Sequence, residues 1–339
     1  MTNKKSKETT SIRASSVDVA RLANVSQATV SRVLNHPDKV GESTKRRVYQ
    51  AIKELRYVPN ENARNLVSGR SKVITLISGS LENPFFVDST AFIVDYATAR
   101  GYKVNIHIID DADILETYRL VLANRPDGLI MSCILYDDLI IDHLQGLDLP
   151  FVSYNRRHKE KLNYVELDNF EAGRKGCLYL HEKGYESIFW VGGRQDVSTF
   201  RYRFEGFKAT SNQCYRDDNM IMSVNDEQLD DAVLTAQIMQ WYQTTNGKKA
   251  LFAATDSIAI KLLDLTKKMG LVCPSDIGIL GIDNVELSQH AYINLTSVGS
   301  EDNLGKLAIK ALINQIESSV EENINITVPA MVFERGTIK

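Results

Sequence analysis

Five residues between Gln27 and Asn35 carry side-chain groups that can read base edges in a DNA groove. Wound at about 100° per residue, Gln27, Ala28, Ser31, Arg32 and Asn35 share one side of a helix, while Val30, Val33 and Leu34 fall in an apolar stripe on the other. Glutamine can pair with adenine, alanine can pack on a thymine methyl, and arginine can grip O6 and N7 of guanine in the major groove. A three-helix bundle without a ligand, or one that binds a protein, would bury the same stripe. The residue types on the exposed side favour DNA.

A second set of candidates lies far from the first, at the ends of short apolar runs. Asn83-Pro84-Phe85-Phe86, Asn155, Asp168, Arg203, Thr255-Asp256 and Asp283-Asn284 are polar or aromatic residues in or near loops that follow apolar runs. In open α/β sheets that is where ligands bind. A loop carboxylate after a strand also serves as a helix cap, and Asp256 suits that role equally well. Each of these candidates is weak by itself.

The elements that must position the first set are read from caps and stripes. Ser16 caps a first helix with Asp18 near its positive end and Val19, Leu22 and Ala23 along one face. Asn24 tolerates the left-handed conformation of a tight turn, and Ser26 caps the helix that follows. A third helix runs from about Glu42 to Arg56 with Val48, Ala51, Ile52 and Leu55 on one face. Together these predict an all-α helix-turn-helix head. After Pro59, residues 60–66 read as a helix of barely two turns, too short to be stable alone, and composition by itself favours a plain polar linker there. From Val73 onward, KVITLIS, YKVNIHII, DGLIMS, PFVSY, SIFWVGG, KALFAA and DIGILGI alternate with segments of helical length, which predicts parallel βαβ sheets covered by helices on both faces. The organisation expected is a head over 1–59, a hinge and linker over 60–71, and an effector and dimerisation domain over 72–339.

Charge divides the same way. The 339-residue chain has a net charge of −3, yet residues 1–72 hold 15 Lys and Arg against 6 Asp and Glu, and the remainder holds 25 against 37. A basic head attracts phosphate and an acidic body repels it, so a nucleic acid belongs on the head.

The run from Val17 to Leu34, with VYQAIKELRYVPNENARNL from Val48 to Leu66, closely resembles the DNA-binding head of the LacI/GalR family of bacterial transcription regulators. The resemblance continues to the end of the chain. It implies that Gln27, Ala28 and Arg32 read bases, and that Ser16, Ser26, Thr29, Ser31, Asn35 and Asn60 contact or support contact with the DNA backbone. It implies a hinge helix that orders when two copies meet on DNA, with Leu66 wedged in the minor groove beside Ala63. Gly41 stands where many members cap the third helix with serine. For residues 72–339 it implies a type I periplasmic-binding-protein fold of two lobes, with the chain crossing between them near 165, 295 and 327. The effector contacts implied are Phe85, Phe86, Asn155, Arg203, Thr255, Asp256 and Asp283. Asn155 replaces an aspartate and Thr255 an asparagine common in the family, so the ligand cannot be copied across. Arg203 and Asp283, which the resemblance singles out, together suit a polyol by offering a donor fork and a bidentate acceptor; a carbohydrate is the leading effector, with a purine or nucleoside, a phosphorylated metabolite or a partner protein as alternatives.

Enzyme chemistry finds no support: GxxxxGK[ST], HExxH and GxSxG are absent, and the six histidines form no metal-ligand pair at helical spacing. Cys133, Cys177, Cys214 and Cys273 are widely spaced without a CxxC pair, which predicts neither zinc nor a disulfide framework. No cofactor is expected. The start of the chain is polar and basic without an apolar h-region, which argues for the cytoplasm and against a solute-binding transport component. No heptad tail follows the last strand, so the expected assembly is a homodimer rather than a tetramer.

Overall fold

The computed structural model describes residues 14–58, 70–109, 114–215, 221–225, 230–318 and 323–339. The chain divides into two compact units, Met1–Arg70 and Ser71–Lys339. Asn60, Ala63 and Leu66, the expected hinge contacts, lie outside the described residues.

In the first unit, helices α1 (Ser16–Ala23), α2 (Gln27–Asn35) and α3 (Glu42–Glu54) enclose a core of Val19, Ala20, Ala23, Val30, Val33, Val48 and Ala51. The cap of α1 is Ser15, not Ser16. Its hydroxyl accepts the Asp18 N–H, while the Asp18 carboxylate accepts the Ser15 N–H at 2.9 Å. A capping box needs its acid three residues after the cap, and only Ser15 stands at that distance. Leu22 is 45% exposed and Ala20 takes its expected place in the core. Asn24 adopts φ 50°, ψ 55°, closing α1 before Ser26 caps α2 by accepting the Thr29 N–H at 3.1 Å. Gly41 caps α3 without a side-chain bond.

The second unit is built on two six-stranded sheets. The first contains β1 (Val73–Ser78), β2 (Lys103–Ile108), β3 (Gly128–Met131), β4 (Phe151–Tyr154), β5 (Tyr164–Leu167) and β11 (Asn325–Val328) in the order β11-β5-β4-β3-β1-β2, all parallel. The second contains β6 (Ser187–Gly192), β7 (Ile221–Asn225), β8 (Lys249–Ala253), β9 (Gly278–Asp283), β10 (Thr296–Gly299) and β12 (Met331–Phe333) in the order β12-β10-β9-β8-β6-β7. Among the described residues, only β12 runs antiparallel to its neighbour. The chain leaves the first sheet after β5, returns after β10 and leaves again after β11, so three strands of chain join the lobes.

Helices α4 (Pro84–Ala99), α5 (Ile114–Ala123), α6 (Ile140–Gln145) and α11 (Leu304–Ser318) belong to the first lobe, and α7 (Asn169–Glu182), α8 (Ser198–Cys214), α9 (Asp231–Thr244) and α10 (Asp256–Lys268) to the second. The central strands are buried from end to end, as parallel strands covered on both faces must be. Helices α7 and α8 cross at two glycines: a Cβ at Gly173 would lie 1.9 Å from the Arg203 carbonyl oxygen, and one at Gly206 would lie 2.0 Å from that of Phe170. This close approach presses α8, which carries Arg203, onto the segment leaving β5.

Candidate functional site

On the head, α2 presents the expected side to solvent. Gln27, Ala28, Ser31, Arg32 and Asn35 are exposed, whereas Val30 and Val33 are fully buried. The Gln27 amide donates to Ser16 Oγ at 2.9 Å, and the Asn35 amide donates to Ser31 Oγ at 3.2 Å. Ser26 and Thr29 hydroxyls lie 2.9 Å apart at the helix start. The polar side chains on this face are thus oriented by one another, and Arg32 extends from it with no carboxylate partner among the described residues. A positive helix N-terminus flanked by hydroxyls is suited to phosphate, and the amide and guanidinium to base edges.

In the second unit, a cavity of about 590 Å³ opens between the lobes, at the carboxyl ends of the strands. Phe85, Phe86 and Asn155 line it from the first lobe, and Arg203, Thr255 and Asp283 from the second. Asn83 caps α4 by accepting the Phe85 N–H at 3.0 Å, with Pro84 at its first position, and this cap sets both phenylalanines at the cavity wall. The rings of Phe85 and Phe86 meet edge to face at 5.4 Å. Phe86 fits because Gly79 has no Cβ, which would come within 2.7 Å of its ring.

Arg203 is the centre of the site. Its guanidinium donates to Asn169 Oδ1 at 2.8 Å, to the Ala254 carbonyl at 2.5 Å and to Asp283 Oδ1 at 2.8 Å. The pair is buried, and burial raises the Asp283 carboxyl above the ordinary range despite the guanidinium beside it. A buried ion pair of this kind persists only when its remaining groups are satisfied. Asn169 and Ala254 do that here for the guanidinium.

Asn155 sits at φ 67°, its N–H donating to the Val165 carbonyl and its own carbonyl accepting the Thr199 hydroxyl at 2.7 Å across the cleft. Other bonds also join the lobes: the Arg157 N–H donates to Ser198 Oγ, the Tyr136 N–H to the Asp196 carbonyl, and the Glu286 N–H to Asp88. Thr255 caps α10, its hydroxyl accepting the Ile258 N–H at 3.2 Å.

Three polar candidates, Asp256, Asp168 and Asn284, are not at this cavity; the Asn284 side chain is engaged by the Ser300 carbonyl and Arg335. Asp256 is completely buried and absent from the cavity wall; its carboxylate accepts from Ser297 Oγ and the Val285 N–H instead. It is not the helix cap either, since Thr255 takes that role. Asp168 caps α7 by accepting the Glu171 N–H at 3.0 Å. Conversely, Arg156, Arg194 and Phe200 line the cavity without having been singled out. Arg156 and Arg194 lie just beyond the ends of β4 and β6, so the strand-end rule could have found them. Arg194 is held by Asp196 through two contacts. Phe200 on α8 has no sequence signal beyond its apolar type.

Among the described residues no group of three or more His, Cys, Asp or Glu is placed to hold a metal, and no helix is long and apolar enough to cross a membrane.

Known proteins share both units. The chain is 30% identical over 326 residues to the ribose operon repressor of Halalkalibacterium halodurans, covering 95% of this chain and 96% of that one. It is 29% identical to the transcriptional repressor PurR of Photobacterium profundum, covering 90% and 92%. Its fold matches the Lac repressor dimer solved on operator with an anti-inducer, at a TM-score of 0.81 and 24% identity, covering 96% of this chain and 99% of that one. Residues 71–335 match the family of periplasmic binding proteins and sugar-binding domains of the LacI family, and residues 17–60 match the bacterial regulatory proteins of that family. The chain therefore belongs to the LacI family of DNA-binding transcriptional regulators.

Proposed function

We propose that this regulator is a repressor, acting as a cytoplasmic homodimer without catalytic activity, whose operator affinity is set by a carbohydrate held between the lobes. The carrying observation is the Arg203–Asp283 pair at the cavity wall: a rigid donor fork and a carboxylate, side by side, with an aromatic wall from Phe85 and Phe86. Sugar hydroxyls both donate and accept, and a flat ring packs on the apolar face of the sugar. Asn155 and Thr255 supply further polar contacts from opposite lobes.

On the DNA side, Gln27, Ala28 and Arg32 read bases, while Ser16, Ser26, Thr29, Ser31 and Asn35 hold or support the backbone. Asn60, Ala63 and Leu66 act in the paired hinge. Because ligand atoms contact both lobes, occupancy changes the angle between them and so the separation of the two hinges.

A thermal-shift panel tests the effector. D-ribose, D-galactose, cellobiose, hypoxanthine and cytidine are compared at matched concentration. A sugar that binds should stabilise by about 2.7 kcal/mol at a hundredfold over its dissociation constant, and Arg203→Ala should remove the shift. The PurR relative and the aromatic wall favour a purine as the second reading, and a shift with hypoxanthine alone would install it in place of the sugar.

A further inference from the structure

Asp256 lies behind the cavity wall, yet its surroundings all bear on Asp283. Ser297 Oγ on β10 donates to one of its carboxylate oxygens at 2.5 Å and the Val285 N–H donates to the other at 3.0 Å. The Asp256 N–H in turn reaches the Asp283 carboxylate. At Asp283 the backbone is strained: φ is 132° there and 56° at Asn284, left-handed values at successive residues with side chains. Such a turn persists only where its surroundings over-determine it. The Asn284 N–H donates to the same Ser297 Oγ at 3.0 Å, its amide donates to the Ser300 carbonyl, and its side-chain oxygen accepts from Arg335. Space for the Asp256 carboxylate exists because residue 281 is glycine; a Cβ there would come within 2.2 Å of its oxygen.

We propose that Asp256 is a positioning residue of the effector site, pinning the strained Asp283–Asn284–Val285 turn from behind and so aiming the Asp283 carboxylate at Arg203 and the cavity. This rests on the reading of Asp283 as an effector contact. The charged groups facing Asp256 are Asp283 from β9, Arg335 from the segment after β12 and, through Asp283, Arg203 from α8. Burial and the Asp283 charge raise the Asp256 carboxyl to about 7, so the clamp changes its charge close to neutrality.

The test needs no effector. Full-length protein labelled with nitrogen-15 in arginine is examined by NMR between pH 5.5 and 8.5, the Arg203 Nε–H signal being assigned by its loss in Arg203→Lys. In the wild type this signal should move with a single midpoint near neutrality, as Asp256 titrates and shifts the Asp283 carboxylate that shares the guanidinium. In Asp256→Asn the signal should be displaced at every pH and lose its titration. Should that variant not fold, Ser297→Ala removes the other end of the clamp and should displace the same signal. An Arg203 signal unchanged in position and titration by these substitutions overturns the proposal. If no sugar in the panel binds while the Arg203 signal still responds, the carbohydrate reading has failed and the positioning role stands.

Discussion

Replacing Gly173 by alanine sets two effects of known size against each other. Alanine in a helix interior is favoured over glycine by about 1 kcal/mol, which alone would stabilise α7. Against it stands the contact with α8: the new Cβ would lie 1.9 Å from the Arg203 carbonyl oxygen and 2.9 Å from the Phe207 nitrogen. Both neighbours are backbone, so no rotamer change relieves them. Ordinary contact begins near 3.4 Å, so α8 must retreat by about 1.5 Å. Overpacking of this kind costs about 1 to 3 kcal/mol, and a backbone clash belongs at the upper end. The net expectation is a loss of about 2 kcal/mol. The displacement also carries Arg203 with it, and a binding group tolerates only about 0.5 Å. Urea denaturation should show a lower midpoint at unchanged slope, and the effector-induced thermal shift should vanish. Gly146→Ala is the control, since a Cβ there meets the His143 carbonyl at an unstrained 3.5 Å with right-handed backbone. A Gly173→Ala protein as stable as the wild type would show that the helices are not held at this distance by the glycine.

Four further outcomes follow from individual contacts. Gly41→Ser should stabilise the head by a few tenths of a kcal/mol, about the difference between these caps, because nothing lies within 4 Å of the new Cβ and the backbone is already extended; thermal melting of the head reads it. Ser15→Ala should destabilise the same unit by about 1 kcal/mol through loss of the capping box, whereas Ser16→Ala should change its melting far less. Arg32→Ala should weaken binding to the preferred operator by about 1 to 3 kcal/mol and flatten discrimination at one base in gel shifts; equal weakening on every sequence would make it a phosphate contact. Folding raises the Asp256 carboxyl from 3.8 to about 7, so the folded chain holds a proton that the unfolded chain has released between those values. That contribution is complete at low pH and is lost as pH rises through about 7, amounting to no more than about 4 kcal/mol. Denaturation of Asp256→Asn should lack this decline, and an identical pH profile in both proteins would refute the assignment.

What was legible in the sequence depended on whether the decisive contact was local. Asn24, Ser26 and the Val30–Val33 stripe act over three or four residues, and each is found where its chemistry places it. Seven strands were visible as apolar runs. The runs that escaped, β5, β7, β10, β11 and β12, are three to five residues long. β11, with a polar start and exposed positions, is a strand only because residues 164–167 lie alongside it. Asp283 could be singled out by type and its place at a strand end, and Arg203 by type alone, since it stands within α8; their bond spans 80 residues.

The sequence by itself determined a basic helix-turn-helix head and an acidic α/β body, because caps, helical periodicity and charge are properties of neighbouring residues. Only the tertiary structure decided which polar residues at strand ends face the cavity. Asp256 and Asp283 are similar in sequence, each near a strand end, yet one is turned into Ser297 and the Val285 N–H and the other towards Arg203. That choice is made by groups brought from β10, α8 and the segment after β12, and burial raises both carboxyls. The cavity is a product of the second unit's double-lobed topology, in which three chain crossings bring strand ends from distant parts of the sequence face to face.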